Sequence, residues 1–78
     1  MRAKSLRVVV TFHTTTAAMA MEDSCMKEGM PGRLIPVPRE ITAGCGLAWR
    51  MAAEDYTEQK DRLRALGLMF DRAVELML

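Results

Sequence analysis

The sequence predicts an α+β fold with a four-stranded antiparallel sheet. Four segments have the β-branched or alternating composition of strands, and two segments between them have helix-forming composition. The order is strand, helix, strand, strand, helix, strand. A chain of 78 residues is long enough for one domain only, so we expect residues 1–78 to form a single domain.

The first strand and the first helix follow from local composition. Residues 6–12 (LRVVVTF) are β-branched, apolar or aromatic, which is typical of a strand with at least one buried face. Threonine hydroxyls at positions 14–16 can cap a helix, and residues 17–28 are rich in Ala, Met and Glu. Gly29 suits the left-handed position after a helix. We therefore expect a helix that ends at Gly29.

The middle of the chain predicts two strands joined by a loop. Residues 33–37 form a short strand, and Pro36 favours a place at the sheet edge because it has no N–H to donate. Residues 38–46 are irregular in composition and make the longest loop. Residues 47–51 (LAWRM) alternate large apolar with small or polar side chains, as in a strand with one face against a core.

The last third predicts a capped helix and a final strand. Asp55 and Glu58 have the spacing of a capping box, Gly67 ends the helix, and residues 70–78 alternate. The complete order β-α-β-β-α-β is the ferredoxin-like split βαβ pattern, in which both helices cover one face of the sheet.

Composition and charge exclude several classes of function. The net charge is +1 and aromatic residues make up only 5%, so we expect no nucleic-acid partner. No apolar run approaches the roughly 20 residues of a membrane span, and the apolar run near the amino terminus is too short for a signal peptide. We therefore expect a cytoplasmic protein. Two cysteines and His13 are too few to supply four zinc ligands from one chain.

Cys45 is the candidate functional residue, because it lies between Gly44 and Gly46 in the long loop. Glycine neighbours leave a thiol accessible to another molecule, and a nearby cation promotes the thiolate form. Arg39 and Arg50 are the candidate cations. The alternative is that the glycines shape a tight turn and Cys45 is an ordinary loop residue.

Two further positions have both a structural and a functional interpretation. His13 lies between the first strand and the first helix, where it can act as an acid, a base or an anion contact, or only tether the turn. Thr14 has the same two interpretations, as a ligand contact or a helix cap. Cys25 falls on one helical stripe with Ala18 and Met21, which favours a buried, structural thiol.

The chain resembles a known family at four segments. These are residues 11–15 (TFHTT), 29–31 (GMP), 33–41 (RLIPVPREI) and 44–48 (GCGLA). In these segments it is similar to the DUF3343 family, named Putative Se/S carrier protein-like. The most specific parts are PREI at 38–41 and CGLA at 45–48. A departure from the pattern is Cys25, which stands at what looks like a leucine position.

The resemblance implies a bacterial protein that carries sulfur or selenium as a persulfide or selenosulfide. It assigns Cys45 as the carrier thiol, Arg39 as its neighbouring cation, and His13 with Thr14 as one edge of the site. The implied partners are sulfur or selenium donor and acceptor proteins, with no cofactor beyond the transient atom on Cys45. This favours a carrier over a stand-alone enzyme. A non-catalytic binding module is the alternative function, and a homodimer through a free strand edge is left open.

Overall fold

The computed structural model describes residues 4–41 and 45–78, and in it the predicted order of elements is confirmed. Four strands form one antiparallel sheet in the order β2-β3-β1-β4. This is the ferredoxin-like arrangement that the sequence predicts. The elements are β1 (Leu6–Thr11), α1 (Thr15–Glu28), β2 (Arg33–Pro36), β3 (Leu47–Ala52), α2 (Ala53–Ala65) and β4 (Arg72–Met77).

The main core lies between the helices and one face of the sheet. Alternate residues of β1 and β3 point towards the helices, because successive side chains of a strand face opposite sides. The helices contribute the stripe predicted for α1 and one leucine of α2. The fully or almost fully buried members are Val8, Val10, Phe12, Trp49 and Met51 from the sheet side, Ala18, Met21, Cys25 and Leu63 from the helices, and Met30 just after α1.

The C-terminal end of α1 is confirmed at Gly29, and the N-terminal end is capped by one of the predicted threonines. Thr14 is the N-cap, and its hydroxyl accepts a hydrogen bond from the backbone N–H of Ala17 at 3.1 Å. Gly29 has φ 68° at the C-cap, a left-handed conformation that glycine adopts without a Cβ penalty. The helix begins at Thr15, two residues before the predicted start, because the cap is the first of the three threonines.

The predicted capping box of α2 is wrong. The helix begins at Ala53, directly after β3, and its N-cap Ala52 provides no side-chain hydrogen bond. Asp55 therefore lies inside the first turn, where its carboxylate interacts favourably with the positive end of the helix dipole. The last strand also begins later than predicted, at Arg72.

The other face of the sheet, called the open face below, carries a second apolar cluster. Val9 and Ala48 are fully buried and Ile41 nearly so. Partly buried side chains surround them, namely Ile35, Val37, Val74, Leu76 and Leu78. No residue of α1 or α2 belongs to this cluster. Within residues 4–41 and 45–78, neither helix has the length and apolar character needed to cross a membrane.

Candidate functional site

Cys45 lies at the end of the sheet where β1 finishes and β3 begins. The last paired residues of these strands are Thr11 and Ala48, so the chain just after β1 and the chain just before β3 meet at this end. Cys45 is partly exposed and packs against the edge of the main core. Its thiol donates a hydrogen bond to the backbone carbonyl of Leu47, with an Sγ to O distance of 3.5 Å.

Gly46, the residue after Cys45, forms a backbone hydrogen bond with the chain that follows the edge strand β2. The backbone N–H of Val37 donates to the carbonyl of Gly46 at 3.0 Å, which extends the pairing of β2 with β3 by one step. Gly46 has φ 80°, and among the described residues other than its two chain neighbours no atom lies within 4 Å of the position that a Cβ would take. The glycine thus satisfies a backbone requirement and also leaves open space beside Cys45. Gly44, the other predicted glycine of the site, lies outside the described residues.

Cys25 has the opposite surroundings. It is fully buried in the main core, as the stripe on α1 predicts. Burial in apolar surroundings raises the pKa of the Cys25 thiol from an ordinary value of 9.0 to about 11, because desolvation penalises the thiolate. The two thiols therefore differ in access, and the buried one resists ionisation.

His13 lies at the same end of the sheet. It contacts Asp71, which precedes β4, and β4 and β3 are on opposite sides of β1. The side chain is 76% exposed, and its Nε2 lies 3.3 Å from Oδ1 of Asp71. The same carboxylate accepts a hydrogen bond from the Thr11 hydroxyl at 3.3 Å, and the N–H of Asp71 donates to the Thr11 carbonyl at 2.7 Å. Asp71 thus contacts both His13 and Thr11 and holds the imidazole in place, and the sequence interpretation missed it.

The N-terminus of α1 begins at this end of the sheet, immediately after His13. The Thr14 hydroxyl is used as the cap, so this residue has the structural role that was one of its two interpretations. No acidic residue occupies the first turn of α1. The first-turn N–H groups and the helix dipole place a positive partial charge at this N-terminus. No side chain in the first turn of α1 neutralises that charge.

An apolar groove runs beside this N-terminus. Its volume is about 400 Å³, and it lies between the start of α1 and the connection from α2 to β4. Residues from both segments line it, including His13, Thr14, Ala17, Leu68 and Phe70. The sequence interpretation missed the second wall, because nothing in the local pattern of residues 67–70 indicates that they fold back against α1.

The two candidate arginines are placed differently. Arg39 is exposed in the turn after β2, where the N–H of Ile41 donates to the carbonyl of Pro38 at 3.0 Å. Since Val37 pairs with Gly46, this turn is at the same end of the sheet as Cys45. Arg50 lies in the middle of β3, opposite Val9 of β1. It therefore points to the open face, whereas Cys45 packs against the core on the helix side.

Sequence positions 13, 14, 39 and 45 thus come to one end of the sheet, and Arg50 does not. Among the described residues, no group of three or more His, Cys, Asp or Glu side chains is arranged to hold a metal ion. The fold and this end of the sheet define a class of protein: a small ferredoxin-like α+β domain that presents one accessible thiol at the same end of the sheet as a helix N-terminus.

Comparison with known proteins identifies the family. The family model described as Putative Se/S carrier protein-like matches residues 7–75, which is nearly the whole chain. The chain belongs to this family, as the four resembling segments predict. Searches among curated proteins and among solved structures gave no match.

Proposed function

We propose that this protein carries sulfur or selenium as a persulfide or selenosulfide on Cys45, between a donor and an acceptor protein. The observation that supports it most directly is the contrast between the two thiols. Cys45 is partly exposed beside an open glycine, and Cys25 is fully buried with a raised pKa. Membership in the carrier-like family points to the same chemistry.

The proposed reaction is a thiol exchange with no net oxidation or reduction. The Cys45 thiolate attacks the outer sulfur of a donor persulfide, so a new S–S bond forms at Cys45 as the donor's S–S bond breaks. The donor cysteine leaves as a thiolate and takes the proton that Cys45 gave up. In the delivery step, a nucleophile of the acceptor protein attacks the outer atom of the Cys45 persulfide. The S–S bond at Cys45 breaks, and Cys45 leaves as a thiolate. Selenium in the outer position follows the same balance.

The surroundings of Cys45 supply groups suited to an anionic sulfur. The N-terminus of α1 and the exposed Arg39 are at the same end of the sheet, and positive charge favours a thiolate or a persulfide anion. His13, held by Asp71, presents an exposed imidazole that can form a hydrogen bond to a donor or acceptor protein that docks there. The outward position of these groups fits a relay that works while another protein is bound.

The test is sulfur loading of matched cysteine variants. The protein is incubated with a cysteine desulfurase and L-cysteine, and the mass increase of one sulfur atom is followed by intact-protein mass spectrometry. We expect Cys45→Ser to lose loading and Cys25→Ala to retain it. Equal loading of Cys45→Ser and the parent protein would refute the carrier role of Cys45. Circular dichroism of both variants checks that each remains folded.

A further inference from the structure

Three arginines cluster on the open face, from the middle of β3 towards the end of the sheet away from Cys45. Arg33 on β2 is directly opposite Arg50 on β3, and Arg50 is opposite Val9 on β1. Arg7 is two residues before Val9 on the same strand, so it is the diagonal neighbour of Arg50. The register of three strands therefore brings the three side chains to one face.

None of these three cations forms an ion pair within 4.0 Å in the described part of the chain. The ion pairs there involve other residues, and neither Arg7, Arg33 nor Arg50 donates a side-chain hydrogen bond to residues 4–41 or 45–78. The Nε atom of Arg7 is buried and has no hydrogen-bond partner among the described residues. Like charges directly opposite each other on a sheet are destabilising, and a buried donor without an acceptor costs further free energy.

A cavity of about 220 Å³ opens among these arginines. All three line it, together with the backbone of Gly32 and the carboxyl-bearing residue Asp55. Gly32 has φ 129° and lies directly against the Trp49 ring, which fixes the chain at this wall. Three positive side chains and one negative side chain leave a net charge of +2 around the space.

We propose that this cavity is a binding site for an oxyanion of the phosphate class. Guanidinium groups present planar, fixed donors that match the oxygens of phosphate, and charge-assisted bonds of this kind are stronger than neutral ones. A bound oxyanion would relieve the repulsion within the Arg33 and Arg50 pair. It would also provide acceptors for guanidinium N–H groups that have none among residues 4–41 and 45–78. The volume accommodates a free phosphate or the phosphate end of a larger ester.

This site is separate from the proposed sulfur carrier site. Arg7 pairs with Ala52 at one end of β1 and β3, and Cys45 lies beyond the opposite end of the same two strands. The arginines also face the side of the sheet away from the core that Cys45 contacts. Oxyanion binding therefore does not depend on the chemistry of Cys45, and either proposal can fail without the other.

The test measures phosphate binding by ³¹P NMR titration and by thermal unfolding at constant ionic strength, with sodium chloride replaced stepwise by sodium phosphate at pH 7.5. We expect phosphate to raise the midpoint of unfolding beyond the effect of chloride. The variant Arg50→Met removes the central guanidinium and keeps an apolar stem of similar length. It should weaken phosphate binding by at least about tenfold, the loss expected for a charge-assisted contact.

The matched control is Arg64→Met, which removes one positive charge from the exposed surface of α2, outside the cavity. We expect it to bind phosphate as the parent does. Loss of a repelled charge should leave Arg50→Met folded, and its unfolding midpoint in chloride verifies this. An equal phosphate response of Arg50→Met and the parent, or a response no larger than that to chloride, would overturn the proposal.

A second ligand distinguishes the source of the oxyanion. Adenosine monophosphate carries the same phosphate group on a body too large to enter the cavity with it. Tighter binding of inorganic phosphate indicates a free-ion site, and tighter binding of the ester indicates a site for the phosphate end of a larger molecule. Both results support an oxyanion site, whereas binding of neither ligand would refute it.

Discussion

The two cysteines should differ greatly in their rate of alkylation in the folded protein. The folded protein is treated with iodoacetamide at pH 8. The rate at which each thiol reacts depends on the fraction that is ionised and on its accessibility to the reagent. A thiol with a pKa of about 11 is ionised in about 1 molecule in 1,000 at pH 8, roughly 100-fold less than one with a pKa of 9.0. Cys25 is also 0% exposed, so its reaction requires local opening of the core.

The assay is a time course of alkylation followed by peptide mass spectrometry, in which the Cys25 and Cys45 peptides are quantified in the same sample. We expect burial and the raised pKa to slow the reaction of Cys25 by at least about 100-fold relative to its rate in the unfolded chain, and we expect the partly exposed Cys45 to react much faster than Cys25 in the folded state. In guanidinium chloride the two rates should converge, because unfolding removes the burial of Cys25. Equal rates in the folded protein would refute the argument that α1 shields Cys25 and that the sheet end exposes Cys45.

Three further predictions test the packing of the fold. Gly32→Ala should destabilise the protein by about 2–4 kcal/mol in urea unfolding, because its Cβ would lie 2.6 Å from Nε1 of the buried Trp49. Gly29→Ala, whose Cβ meets no atom within 4 Å, should cost only about 1 kcal/mol, and equal losses would contradict this view of Gly32. Thr14→Ala should lower the free energy of unfolding by about 1 kcal/mol through loss of the α1 cap, and an unchanged urea midpoint would count against that cap. The folded state raises the pKa of Cys25, so stability should be complete below pH 9 and fall by up to about 3 kcal/mol as the pH rises to 11. A Cys25→Ala variant should lose that part of the slope, and a parent-like slope in the variant would show that other groups cause it.

Much of the fold could be predicted because its signals are local. The β-branched run of β1, the threonine cap and terminal glycine of α1, and the alternation of β3 each lie within a few neighbouring residues. The buried stripe of Ala18, Met21 and Cys25 follows from helical periodicity alone. The predicted cap of α2 failed because β3 runs directly into the helix, and no side-chain cap is needed for that connection.

The candidate site could be predicted in part. The glycine-flanked Cys45 was visible in the sequence, and the register of β1 with β3 brings His13, Thr14 and Cys45 to one end of the sheet. The assignment of a carrier role to Cys45 stays a prediction. Arg50 shows why proximity along the chain is a poor guide, since the pleat of β3 turns it to the opposite face.

The elements, their order and the burial of Cys25 follow from local sequence, because each depends on residues that are close in the chain. The contacts between distant groups follow instead from the three-dimensional fold. Asp71 reaches His13 from the start of β4, and Arg7, Arg33 and Arg50 meet through the register of three strands. Such contacts depend on strand pairing and register, which are set by the packing of the whole sheet rather than by any local pattern.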